Sequence, residues 1–162
     1  MEQRRWRLVL DTNTVLRGIA SASSAASKVL HAAERRVFVP LLSKPVLDEY
    51  RAVLTDPAIM QRFPRLTPQV VHVTIGRLRY VSDYLPAPKI EFEFPRDTRD
   101  QRFLELAIAM DATHILSFDQ DLLSLPISHS ESGRRFRQRL PGVRVLRADQ
   151  FLVEYAELFR PT

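Results

Sequence analysis

Four short apolar runs, RLVL (7–10), VFVPL (37–41), HILSF (114–118) and VRVL (143–146), recur between longer stretches of helical periodicity. Each run has the length of a strand rather than a helix. Strands separated by helices close into βαβ units, which run the strands parallel and cover the sheet with helices. The fold expected is therefore α/β: a three-layer α/β/α sandwich with a central, mostly parallel sheet. At 162 residues the chain fits one domain, 1–162, able to bury about two thirds of its unfolded surface around a single core.

The helices carry their own start signals. Ser23 or Ser24 precedes AASKVLHAAERR, Ser43 precedes a helix with Pro45 in its first turn running through VLDEYRAVL, and Thr67-Pro68 opens QVVHVTIGRLRYV. A further helix is expected over QRFLELAIAM, and a closing amphipathic helix over FLVEYAELF. DYLPAPKIEFEFPR (83–96) is Pro-rich and reads as an irregular connection. SHSESGRRFRQRLPG (128–142) is a polar, basic insertion before the last strand.

Composition removes several classes of chemistry. With no Cys, a thiolate metal site, a disulfide and a Cys nucleophile are excluded. The basic residues 1 to 7 lead into too few apolar residues for a signal peptide, and no later run reaches membrane-spanning length, so a cytoplasmic protein without a membrane partner is expected. The net charge is +5, and Lys28, Lys44 and Lys89 are the only lysines among the 24 basic residues. Arginine grips phosphate bidentately, which favours an anionic partner such as nucleic acid.

The acids then fall in a pattern. In a parallel α/β sheet, ligands bind where the strands end at their C-termini. Asp11 follows the first strand directly, and Asp119 follows HILSF, with Asp121 two residues on. On the helix after Ser43, the stripe Val46, Leu47, Tyr50, Val53 and Leu54 puts Glu49 at its border and Asp48 opposite, in water. On the helix after residue 99, Asp100 projects from the N-terminal end of the apolar face, with Arg102 and Glu105 expected on the outer one. Taken singly, each acid has a plainer role as a turn former, a helix cap or, for Asp97, a solvated loop residue. Taken together they repel, by about 4 kcal/mol for a pair at 4 Å in an effective dielectric of 20, unless a cation neutralises them. All-oxygen ligands suit a hard ion such as Mg²⁺ or Mn²⁺, which activates water and stabilises charge on a phosphodiester. A basic chain with an acidic metal pocket fits a nuclease.

The blocks VLDTNTVL (9–16), LLSKPVLDEYRAVL (41–54), PRDTRDQRFLELAIAMDATHILSFDQDLLSL (95–125) and VRVLRADQFL (143–152) resemble the PIN-domain family, specifically its VapC-like branch of toxin components of toxin–antitoxin pairs. The resemblance implies a Mg²⁺- or Mn²⁺-dependent endoribonuclease. Its catalytic, metal-binding acids carry over to Asp11, Glu49, Asp100 and Asp119, with Asp121 as an accessory ligand. Asn13 and Ser117 match polar positions that brace the pocket, Ser117 standing where Thr is commoner. Arg99 stands where the branch often has an acid, and the 128–142 insertion is longer than in the family pattern. The expected partners are an RNA substrate and a small antitoxin protein, with a homodimer also open.

Arg134, Arg135, Arg137 and Arg139 in the insertion are candidates for tracking the RNA backbone, against a plainer reading as solvated charge. His31, His72, His114 and His129 are scattered and read as core or surface residues, and Trp6 reads as packing. Two other functions compete. A haloacid-dehalogenase-like phosphatase also begins with a strand ending in Asp, but needs a second Asp as general acid where this chain has Asn13, which cannot donate a proton in that way. A non-catalytic RNA- or protein-binding module on the same fold would have no reason to keep mutually repelling carboxylates.

Overall fold

The computed structural model describes residues 6–89 and 98–156. Its strands are β1 (Arg7–Leu10), β2 (Val39–Ser43), β3 (Asp83–Leu85), β4 (His114–Leu116) and β5 (Arg144–Leu146). They form one sheet in the order β3–β2–β1–β4–β5, and every neighbouring pair is parallel. β1 sits in the middle, with Leu8 opposite Pro40 on one side and His114 on the other. Pro40 lies inside the sheet without a lost bond. Val39 N–H donates to the Trp6 carbonyl on the β1 side, so Pro40 faces β3, whose pairing starts one residue later at Leu41.

Helices cover both faces, completing the expected three layers. They are α1 (Thr12–Ala20), α2 (Ala25–Glu34), α3 (Lys44–Leu54), α4 (Pro57–Arg62), α5 (Pro68–Val81), α6 (Thr98–Ala109), α7 (Gln120–Ser124), α8 (Glu131–Arg139) and α9 (Ala148–Glu154). The starts follow the capping chemistry: the side chains of Ser24, Ser43 and Thr67 accept the N–H groups of Ser27, Val46 and Val70. Among the described residues no helix is long and apolar enough to cross a membrane.

The structure differs from the sequence pattern in several places. Residues 12–20 form α1, hidden because its first turn is polar; Asp11 caps it and Val15, Leu16 and Ile19 make its buried stripe. Asp56 and Pro57 start the short α4, which has no buried residue to give it a period. Residues 83–85, expected to be irregular, form the edge strand β3, too short and too exposed to show alternation. The segment 90–97, which includes Asp97, and the end of the expected closing helix from 157 lie outside the described residues. The basic insertion is helical over α8, with Phe136 and Leu140 buried beneath it. Its Gly133 is pressed onto the preceding turn, where a Cβ would stand 2.3 Å from the Ser128 carbonyl oxygen.

On α6 the expected outer face is not outer. Five consecutive residues, Phe103 to Ala107, are buried, because the helix packs over β1, β2 and β4 and against α3. Glu105 is therefore enclosed, accepts a hydrogen bond from Gln101 Nε2 at 2.7 Å, and has its carboxyl pKa raised by burial.

At the opposite edge from the strand C-termini, an aromatic cluster closes the sheet. Trp6 stacks on His114 with ring centroids 5.0 Å apart, and Tyr155 meets Trp6 edge-on at 4.1 Å. His114 is buried, with Nδ1 2.8 Å from Thr113 Oγ1 and Nε2 3.1 Å from Tyr155 Oη. Burial, reinforced by the Arg144 charge, pushes its pKa down to about 4. The unfolded chain therefore takes up this proton first, at about pH 6.5. Stability contributed by neutral His114 is full above that pH and is lost as the pH falls towards 4. Denaturant midpoints measured between pH 7 and pH 4.5 are expected to fall more steeply for the wild type than for His114→Phe; parallel curves would mean that His114 is not held neutral.

Candidate active site

Because the strands are parallel, Leu10, Ser43, Leu85, Leu116 and Leu146 all end at one edge. The residues that follow β1 and β4, the central strand and its neighbour, supply the acids. The Asp11 backbone N–H donates to the Leu116 carbonyl at 2.9 Å, continuing the β1–β4 ladder one residue past the strands. Its carboxylate, on a residue only 4% exposed, accepts the Thr14 N–H at 3.1 Å through Oδ1 and the Ser117 hydroxyl through Oδ2. Asp11 is thus the N-cap of α1 as well as a strand-end acid.

Ser117 is fully buried and joins the two acidic positions. While its hydroxyl donates to Asp11, its oxygen accepts the Asp119 N–H at 2.9 Å. Asp119 caps α7 by accepting the Asp121 N–H at 2.8 Å, so Asp121 enters the network through its backbone while its side chain is exposed. Burial raises the pKa of Asp11, and the nearby Asp119 charge adds to the rise, against the lowering effect of its hydrogen bonds to Ser117, Thr14 and Asn13. Asn13 acts there through its backbone N–H, and its side chain is exposed in a neighbouring cleft.

Tyr50, which the sequence offers only as part of the α3 stripe, is a further member of this edge. It is 1% exposed, and its hydroxyl donates to the Leu10 carbonyl at the end of β1. Burial raises its pKa, as does the Asp11 charge, so α3 is tied to β1 by a neutral phenol beside the acid. One residue past Asp11, Thr12 Oγ1 is buried without a hydrogen-bond partner among the described residues.

The other two acids sit differently. Asp48 is exposed and pairs with Lys44 one turn back at 2.6 Å. Glu49, half-buried at the border of the stripe, pairs with Arg102 of α6 at 2.9 Å. That contact is the second correction to the assumed phase of α6: Arg102 turns towards α3 instead of outwards. Asp100 is half-buried in the first turn of α6, whose start lies at the C-terminal edge because the helix leads back to the beginning of β4. The structure thus links Asp11 to Asp119 through Ser117, and it holds Glu49 in an ion pair. Among the described residues, no three or more acidic or imidazole side chains cluster closely enough to hold an ion between them.

A hard divalent ion nevertheless fits this donor set. Mg²⁺ commonly keeps several waters and takes only one or two carboxylates from the protein, the rest from substrate phosphate. A buried carboxylate whose ionised form is disfavoured by desolvation and by a like charge is one that a cation would stabilise.

A cleft of about 1080 Å³ is lined by residues close to Asp11 and Asp119 in the chain. Asn13, Phe118 and Gln120, which flank the two acids in sequence, line it together with Arg17, Arg62 and Arg147. Apart from Asn13, nothing in the sequence pattern singled these out, since they come from separate elements. The four insertion arginines do not line this cleft. On α8, Arg137 donates to the carbonyls of Pro126 and Ser128 at 3.2 and 2.7 Å, and Arg135 pairs with Glu131.

The protein is thus a parallel three-layer sandwich with two linked acids at its C-terminal edge and a cleft lined by three arginines. The PIN domain family model matches residues 7–121, most of the chain and both coupled acids, and the chain belongs to the PIN domain family. PIN domains are in general nucleases that use divalent metals, which favours hydrolysis of nucleic acid over the phosphatase alternative. No curated protein and no solved structure shows significant similarity to the chain.

Ionised Asp11 costs the folded state free energy, since its folded pKa lies above the unfolded one and that disadvantage is present above both. Asp11→Asn is expected to raise the melting temperature at pH 7 without divalent ion by about 2–4 °C, corresponding to roughly 1 kcal/mol. An unchanged or lower melting temperature would show that the capping bonds outweigh the desolvation.

Proposed function

We propose that this chain is a Mg²⁺- or Mn²⁺-dependent endoribonuclease and the toxin component of a toxin–antitoxin pair. The observation that carries the nuclease reading is the Asp11–Ser117–Asp119 network at the C-terminal edge of a PIN-family sheet. The toxin reading rests on the resemblance of the four sequence blocks to the VapC-like branch.

In this reading Asp11, Asp100 and Asp119 hold one or two ions, with Glu49 completing the set partly through water and Asp121 as an accessory. Bound there, an ion would activate a water and offset the charge that develops on the phosphodiester during cleavage. The protein's own part is positional. Ser117 fixes the Asp11 carboxylate by donating to Oδ2 and sets the turn that carries Asp119. The Thr14 N–H holds the other Asp11 oxygen, and Tyr50 fixes the end of β1 from below. Burial keeps bulk water from screening the Asp11 carboxylate, which strengthens its attraction for a cation. Arg102 holds Glu49 in place on α3 and neutralises it until a cation competes.

Cleavage of RNA by the purified protein is expected with Mg²⁺ or Mn²⁺ and is expected to stop with chelator. Asp11→Asn should lower the rate by more than about a hundredfold, beyond the 10–100-fold typical of outer-sphere partners of a metal. Glu49→Gln should lower it strongly and Asp48→Asn hardly at all, because exposed ion pairs such as Lys44–Asp48 contribute little. Full cleavage by folded Asp11→Asn, or in chelator, would overturn the mechanism. A small antitoxin-like reading frame beside this one, whose product relieves growth arrest on co-expression, is the corresponding test of the toxin reading.

A further inference from the structure

The cleft beside the acids has a chemical character of its own. Four parts of the chain separated in sequence build it: α1 with the start of α2, α4 with Phe63, the β4–α7 turn with α7, and the β5–α9 turn with the start of α9. Its volume of about 1080 Å³ exceeds that of most small-molecule sites, which leaves room for a ligand longer than one small molecule. Its charge is uneven. Arg147 is paired with Asp149 at 3.1 Å, whereas Arg17 and Arg62 have no carboxylate partner among the described residues. Two cationic side chains are therefore left to meet an anion from outside.

Both of these arginines lie against aromatic rings. The Arg17 guanidinium carbon stands 4.1 Å from the Phe118 ring centroid, and that of Arg62 stands 5.6 Å from the centroid of Phe63. Phe63 and Phe118 are themselves half-buried and pack against the core, so they form fixed supports. Phe118 is the residue immediately before Asp119, and Arg17 lies on the helix capped by Asp11. The Arg17 guanidinium thus stands over the ring that directly precedes Asp119 in the chain, on a helix that starts at Asp11, and the residue is exposed. A planar cation held on an aromatic ring presents a surface on which a nucleobase stacks, while its N–H groups remain able to meet phosphate.

We propose that this cleft is the track of a single RNA strand, and that Arg17, backed by Phe118, is the base-stacking platform next to the scissile bond, with Arg62 holding a phosphate further along. This deepens the ribonuclease reading and rests on it for the identity of the polymer as RNA. It selects single strands because stacking needs an unpaired base face, which a duplex does not offer. Arg17 is a positioning residue: it sets where the strand lies relative to Asp11 and Asp119.

The test is equilibrium binding of a fluorescent single-stranded RNA of about eight nucleotides, within the range of single-strand site sizes, to the full chain carrying Asp11→Asn. Arg17→Lys, which keeps the charge and removes the plane, is expected to weaken binding by about tenfold with the salt dependence unchanged. Arg17→Gln should weaken it further and flatten the slope of log affinity against log salt by about 0.7, and Arg62→Gln should flatten it by the same amount. Duplex RNA of the same sequence should bind more weakly than the single strand. Both arginines are exposed, so these variants are expected to fold, which circular dichroism and melting curves check. Unchanged affinity in Arg17→Lys and Arg17→Gln, equal binding of duplex, or loss of binding only when Arg134, Arg135, Arg137 and Arg139 are replaced would each overturn the inference. Cleavage by the wild type, assayed separately with Mg²⁺ or Mn²⁺, keeps the two readings apart. If the wild type cleaves while the cleft variants bind normally, the track fails and the ribonuclease stands. If the cleft variants lose binding while the wild type never cleaves, the reverse holds.

Discussion

The hydrogen bonding of β1 on both sides is the constraint from which the rest of this structure follows. β2 and β4 each pair with it in parallel, so three neighbouring strands end side by side. A parallel sheet buries its middle strand completely, and Leu8, Val9 and Leu10 satisfy that demand. The chain must then leave the sheet at a place surrounded by other strand ends. The residue that stands there, Asp11, is polar but nearly enclosed, and it is tolerated because Thr14 and Ser117 satisfy its oxygens.

That arrangement makes one group serve two ends. As an N-cap, the Asp11 carboxylate supplies an acceptor to the start of α1, a role worth about 1 kcal/mol in typical helices. As a desolvated carboxylate next to Asp119, it is held in a state that a cation would relieve. The two roles are compatible because an ionised carboxylate has lone pairs left after two hydrogen bonds. Asp119 repeats the device on α7, and Ser117 transmits the position of one acid to the other. The capping reading and the ligand reading of these acids are consequently not rivals. The same geometry that stabilises a helix start also aims a charge at the sheet edge.

The two ends of the sheet are built on opposite electrostatic lines. At the N-terminal edge, His114 is enclosed by Trp6, Phe151 and Tyr155 and is kept neutral. At the C-terminal edge, Asp11 and Asp119 are linked through Ser117, Arg102 pairs with Glu49 and Arg147 with Asp149, and Arg17 and Arg62 line the cleft with no carboxylate partner among the described residues.

Much of this was legible in the chain itself. Strand-end acids after RLVL and HILSF, and caps at Ser24, Ser43 and Thr67, are local patterns, written within a few residues and enforced by backbone chemistry. The phase of α3, which sets Asp48 in water and Glu49 at a border, is likewise a property of one amphipathic helix. What the sequence could not carry was set by neighbours far away along it. α1 and α4 lacked a readable period because their first turns are polar or their faces are uncovered. Glu105 is buried, and Arg102 meets a residue 53 positions away, because α6 is enclosed by three strands and α3 rather than lying on a single face. The pairing of Arg17 with Phe118 and the cleft they share with Arg62 join elements that only the closed sheet brings together. Local hydrogen bonding and periodicity are properties of a segment, so the sequence by itself determined the elements, the direction of the sheet and the strand-end acids. Which charges are neutralised and which remain open to a ligand depends on distances across the fold, and only the tertiary structure decided that.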